Sequence, residues 1–226
     1  MEWPVDPRNP GEVLACAGLA HLAWRADPLS KTGFEFDESC RFVAKCPTTF
    51  LDGIAGATLE ETGAGLSIAG IELDWWLDWG LNPGLKTWAG QQSALTVHRN
   101  LLQAAQGLGP EDWYDHAEST TGRLNVDVLG TWNALDMGWS LNEHGAVKML
   151  CRPWLELLAS IGLQAFPVRG RKSEGGFEYR LWRPAPLPSA VAAFGSRKPS
   201  VYSACGYRTR IGKSGSNTIL RVATPA

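Results

Sequence analysis

The chain has 226 residues, 44% hydrophobic and 19% charged, enough to bury one sizeable core in one domain or two small ones. A formal charge of −2 and a pI near 6.1 argue against an independent nucleic-acid binder. No apolar run reaches the roughly 18 to 20 residues that cross a bilayer, and Met1 to Arg8 lacks the cationic start and apolar stretch of a secretory signal.

In chain order, residues 2–6 read as short and extended. Asn9-Pro10-Gly11-Glu12 places an N-cap before a proline at the first helical position, and the helix runs to about Ala26, where Asp27-Pro28 stops it. Gly18 and the alanines let a neighbouring backbone come close. Phe34 to Phe36 and Arg41 to Ala44 read as strands. Thr48 to Thr62 reads as a helix weakened by Gly53 and Gly56, and Leu66 to Leu77 as a strand ending in the Trp75-Trp76 pair.

After the turn Asn82-Pro83-Gly84, Leu95, His98, Leu101, Leu102 and Ala105 recur at helical spacing within Ser93 to Gln106. Glu111 to Ala117 reads as a short helix, Asn133 to Ser140 as a strand and Pro153 to Leu163 as a helix. Phe166 to Val168 and Phe177 to Trp182 read as strands around the polar loop 170–176. Ser189 to Phe194 is a short helix, and Val201 to Arg210 and Thr218 to Val222 are closing strands. Strands and helices do not alternate regularly, so the predicted fold class is α+β, one domain over 1–226 with a mixed or antiparallel sheet and several helices.

Catalytic patterns are incomplete. Gly206 to Ser214 ends like a phosphate-binding loop but has five residues, not four, before its Gly-Lys-Ser, and a strand-like tail follows where a helix is needed. It reads better as a basic hairpin tip. The five cysteines have no paired spacing, which suits free thiols in a reducing cytosol. No zinc spacing appears among Cys and His, and no cofactor is predicted. His98 lies on the apolar face of its helix and reads as a core histidine. Asp74 and Asp78 would share a face if 73–78 is a strand, and with His98 or His116 they form the one candidate for hydrolysis.

Charge is unevenly distributed. Residues 169–226 hold eleven basic side chains against Glu174 and Glu178, a balance of +9, while residues 1–168 balance at −11. This asymmetry points to a polar partner for the basic quarter, unless that quarter folds back on the acidic body. The segment Leu85 to Ser93 sets Lys86, Trp88, Gln91 and Gln92 at a helix start, a set able to hold a phosphate and stack a base. The alternative puts Trp88 in the core and makes Gln91 the cap.

Three stretches carry a family resemblance: residues 3–25, WPVDPRNPGEVLACAGLAHLAWR; residues 73–93, LDWWLDWGLNPGLKTWAGQQS; and residues 152–166 with 179–188, RPWLELLASIGLQAF and YRLWRPAPLP. Together the chain resembles the small CRISPR-associated subunits of type I-U, now I-G, systems, with Cys16-Ala17 and compact loops at 53–65 as departures. The resemblance implies a non-enzymatic, cytoplasmic subunit of a crRNA-guided, Cascade-like complex. Its partners would be crRNA, target DNA, backbone and crRNA-processing subunits, and the helicase-nuclease. Under that reading, Lys86, Gln91, Gln92 and Arg99 form one polar contact surface. Arg171, Lys172, Arg197, Lys198, Arg208, Arg210 and Lys213 form a phosphate-facing one. The rivals are a purely structural subunit whose basic quarter docks on an acidic protein, and a small metal-dependent hydrolase.

Overall fold

A computed structural model describes residues 1–46, 48–88, 92–120, 123–128, 150–214 and 217–226. The elements in order are β1 (Glu2–Pro4), α1 (Pro10–Ala26), β2 (Lys31–Phe36), β3 (Cys40–Lys45), α2 (Asp52–Ala55), β4 (Leu59–Thr62), β5 (Gly65–Ile68) and β6 (Ile71–Leu73). There follow α3 (Ala94–Ala105), β7 (Glu118–Ser119), β8 (Leu150–Cys151), α4 (Pro153–Ala165), β9 (Arg169–Arg171) and β10 (Gly176–Trp182). The chain ends with α5 (Leu187–Phe194), β11 (Ser203–Ser214), β12 (Asn217–Leu220) and β13 (Thr224–Pro225). The sheets are antiparallel, in orders β1-β3-β2, β4-β5-β6, β7-β8 and β12-β11-β10-β9, with β13 also on β11. The fold is α+β.

Two apolar helices, α1 and α4, form its axis. The Asn9 side chain caps α1 by accepting from the Gly11 N–H at 3.1 Å, with Pro10 at the first turn. Neither helix shows a polar stripe, because both are covered nearly all round. They touch through glycines: a Cβ on Gly18 would stand 2.0 Å from the Leu158 carbonyl oxygen, and one on Gly162 would stand 2.1 Å from that of Leu14. Around this pair the sheets contribute aromatic rings at edge-to-face distances, such as Phe34 to Trp182 at 4.9 Å. One hydrophobic core runs from β1 through to Ala223. All five cysteines are free, with Cys16 and Cys151 buried. Among the described residues no helix is long and apolar enough to cross a membrane.

Several predicted elements are corrected. Only four residues of 48–62 are α-helical, because Gly53 and Gly56 weaken the helix and Leu59–Thr62 instead pairs with β5 around Gly63 (φ 59°). The strand expected over 66–77 turns back at Ala69 and Gly70 (φ 52° and 68°) to make the β5–β6 hairpin, so Asp74 to Asp78 lies in turns. Residues 166–168 are not a strand, since Asn82 takes the Phe166 carbonyl and the Val168 N–H; pairing begins at Arg169. Of the loop expected over 170–176, Gly170 and Arg171 belong to β9 and Gly176 to β10. Residues 111–117 hold only the end of a 3-10 turn, Pro110–Asp112. The strand expected at 133–140 lies outside the described residues. Gly206 to Ser214, expected as a basic hairpin tip, is instead extended within β11 and paired with β10 and β12.

The glycine contacts make a sharp comparison. Gly18→Ala pushes a methyl into the α4 backbone and should cost about 3 kcal/mol or more in urea unfolding. Gly53→Ala, with nothing within 4 Å of its added Cβ, should be neutral or mildly stabilising. Equal effects would contradict the α1–α4 contact.

Candidate nucleic-acid interface

Alternation along β10 sorts its two faces. Phe177, Tyr179 and Leu181 are buried in the core, so Gly176, Glu178 and Arg180 lie on the outward side. Register carries this to the neighbours. Gly176 stands opposite Arg171 and Arg210, Glu178 opposite Arg169 and Arg208, and Arg180 opposite Gly206. Directly opposed residues project to one side of a sheet. Arg169, Arg171, Arg180, Arg208 and Arg210 therefore share one outward face, about 10 Å by about 14 Å from strand spacing and rise.

That face is partly neutralised. Glu178 bridges Arg169 and Arg208, the latter at 3.3 Å, while Arg171 and Arg210 are exposed. Gly176 and Gly206 leave its floor without side chains, and the Arg180 guanidinium carbon lies 3.5 Å from where a Gly206 Cβ would stand. Lys172 is exposed in the 3-10 turn joining β9 to β10. The inner face is anchored, with the Tyr179 hydroxyl donating to the Pro7 carbonyl at 2.9 Å and Trp182 Nε1 to that of Thr32 at 2.9 Å.

The other predicted residues divide. Lys86 follows the turn Pro83–Leu85, which approaches the same sheet: a Gly84 Cβ would stand 3.2 Å from the Phe177 ring, and the Thr87 carbonyl accepts from Thr218 N–H at 3.0 Å. Trp88 offers no stacking surface. It is buried against Trp75, Trp76 and His98, with Lys86 Nζ 5.7 Å from its ring centroid. Ser93, not Gln91, caps α3, accepting from Thr96 N–H at 3.1 Å. Gln91 lies outside the described residues; Gln92 and Arg99 are exposed, and α3 packs on α4 and β4. Arg197 and Lys198 are exposed before β11, near its Ser203–Trp182 end, about 20 Å along the strand from Arg210. Lys213 lies in β11 opposite Thr218. Arg169 and Arg180 join the face although no site was predicted there.

Two buried polar systems lie beneath. Arg152 donates from Nε and Nη2 to Asp127, from Nη2 to Glu12 and from Nη1 to the Tyr114 carbonyl, at 2.8 to 2.9 Å. Asn9 Nδ2 completes the set, donating to Glu12 at 3.0 Å and Asp127 at 2.8 Å. Glu156 accepts from the Leu124 and Val126 N–H groups; burial nonetheless pushes its pKa up to about 7. The second system is neutral. Trp75 Nε1 donates to Ser160 Oγ at 3.1 Å, and Ser160 lies 2.7 Å from His98 Nε2, whose Nδ1 is 2.8 Å from the Ala94 carbonyl. A carbonyl only accepts, so Nδ1 carries the proton and Nε2 takes the serine's.

This arrangement removes His98 from hydrolytic chemistry, since both ring nitrogens are spent inside the core. Asp74 accepts from Gln164 Nε2 at 2.9 Å in a turn, Asp78 is exposed, and His116 sits beside Glu118 at 3.2 Å. Among the described residues no three His, Cys, Asp or Glu side chains are arranged to hold a metal ion. Compared with family models, curated proteins and solved structures, the chain has no match.

His98 also makes a pH test. Burial lowers its pKa from 6.5 to about 4, so folding favours the neutral ring. Its contribution is complete above pH 6.5 and is lost as pH falls through about 4. Urea stability of the wild type minus that of His98→Gln should shrink across this window. A constant difference would contradict the buried neutral imidazole.

Proposed function

We propose that this chain is a non-catalytic subunit of a type I crRNA-guided surveillance complex, docking the sugar-phosphate backbone of crRNA or target DNA on the outward face of β9–β10–β11. The observation that carries the reading is the gathering of Arg169, Arg171, Arg180, Arg208 and Arg210 on one side of a sheet, with Glu178 as the acidic group in register among them. Guanidinium groups suit phosphate because their planar donors match two oxygens at once. The overall charge of −2 is no obstacle, because a local field of one sign steers a polyanion to it.

The family resemblance supports placing this face in such a complex. Base pairing there reads sequence, while protein reads backbone and shape. A face built of arginines over a glycine floor fits that division of labour, as guanidinium–phosphate contacts position a nucleic acid without specifying its bases. Partners under this proposal are crRNA, target DNA, the backbone and crRNA-processing subunits and the helicase-nuclease, in the cytoplasm. Lys172 extends the face at one end, whereas Lys86 follows a turn that packs on the Phe177 ring, on the inner side of β10. Arg197 and Lys198, at the far end of β11, serve a separate contact.

The test is charge reversal at Arg171 and Arg210, the exposed arginines that Glu178 does not bridge. Arg171→Glu with Arg210→Glu should weaken binding of mixed-sequence DNA and RNA alike by about tenfold or more, and flatten the dependence on log salt by about 0.7 to 0.9 for each phosphate no longer neutralised. Fluorescence anisotropy across a salt series reads both. Unchanged affinity and slope would contradict the reading. Loss of co-purifying protein subunits with an unchanged salt slope would favour docking on an acidic protein instead.

A further inference from the structure

The middle of the arginine face is already occupied by an anion of the chain itself. Glu178 stands between Arg169 on β9 and Arg208 on β11, with Oε2 accepting from Arg169 Nη2 and Oε1 from Arg208 Nη1 at 3.3 Å. One oxygen toward each of two guanidinium groups is the arrangement that the two free oxygens of a phosphodiester also make. The carboxylate holds its partners incompletely. Arg169 Nε is buried without a hydrogen-bond partner, and Arg208 Nη2 reaches the Glu174 carbonyl only at 3.4 Å. The Glu178 side chain keeps 30% of its surface exposed, so its way out is toward solvent.

We propose that Glu178 is a resident competitor: it holds Arg169 and Arg208 in place of a phosphodiester, and an arriving nucleic-acid backbone must displace it. This rests on the reading of the face as a phosphate-docking surface. Two effects oppose each other. Glu178 orders two long side chains, which helps binding; its charge repels phosphates seated about one strand spacing, near 5 Å, away. At that range, in a surface dielectric close to that of water, like-charge repulsion lowers affinity about threefold to tenfold. Ordering two arginines that β10 and its neighbours already restrain gives back less. Repulsion wins. The consequence is selectivity by length: a single anion gains too little to displace the carboxylate, whereas a chain of phosphates already seated on Arg171 and Arg210 can.

The experiment titrates a short mixed-sequence DNA duplex into the full chain carrying Glu178→Gln, with Glu178→Ala as a second variant and thermal unfolding as the check on folding. Both should bind about threefold to tenfold more tightly than wild type. Arg171→Glu/Arg210→Glu should weaken binding with or without Glu178→Gln. If the arginine variants weaken binding while both Glu178 variants bind equally or less tightly, the competitor role is overturned and the docking face stands. If neither set changes binding, both are overturned.

Discussion

The Arg152 guanidinium, bonded at once to Glu12, Asp127 and the Tyr114 carbonyl, ties together the three parts of the chain on which the rest depends. It immediately precedes α4, Glu12 lies in the first turn of α1, and Asp127 belongs to the irregular segment 123–128. Burial works against the charge on Arg152, yet its bonds to Asp127 and Glu12 outweigh that and hold its pKa above the ordinary arginine value. A buried ion group of this kind contributes little net stability compared with well-packed apolar residues, but removing one member strands the others at a cost of about 3–5 kcal/mol. Its main effect is on register: it fixes which ends of α1 and α4 lie together.

From there the constraint passes outward. With the N-termini of α1 and α4 joined, Gly18 and Gly162 meet the opposite backbone, and helix axes can approach only as closely as such contacts allow. Pro7, just before α1, accepts the Tyr179 hydroxyl, so the inner face of β10 is set against the same helix start. Once that face is fixed, alternation fixes the other. Glu178 and Arg180 must point outward, and pairing aligns Arg171 and Arg210 with them. A one-residue slip would send the arginines inward, where their charge has no solvent and too few acids. The placement of the basic face and the packing of the core are therefore one constraint.

Much of this is local and legible. Asn9-Pro10 marks the start of α1, Asp27-Pro28 its end, and the helical spacing from Leu95 to Ala105 marks α3. His98 is the core histidine its apolar neighbours suggest. The alternation of Phe177, Tyr179 and Leu181 with polar or small residues is also visible in the sequence, and with Arg208 and Arg210 two apart it signals an outward basic row. What escapes is long-range pairing. Nothing near Arg152 distinguishes it from an ordinary residue preceding a helix, because its partners are 25 and 140 positions away. Total charge could not show that Arg197 and Lys198 sit at the far end of a strand from Arg210. An indole beside Lys86 reads equally as stacking platform or core, and the choice is made by Trp75 and Trp76, which enclose Trp88. Glu178 counts as one of two acids in a basic quarter until the register sets it between Arg169 and Arg208.

Phosphate must meet the protein at this one outward surface if the subunit docks a nucleic-acid backbone as proposed. Backbone amide chemical shifts of the isotope-labelled chain, followed while a short DNA duplex is added, locate the contact directly. Shifts should concentrate at Arg171, Lys172, Gly176, Glu178, Arg208 and Arg210, with the α1–α4 axis unmoved. Shifts confined to Arg197–Tyr202 or to the exposed side of α3, with β9–β10–β11 silent, would contradict it.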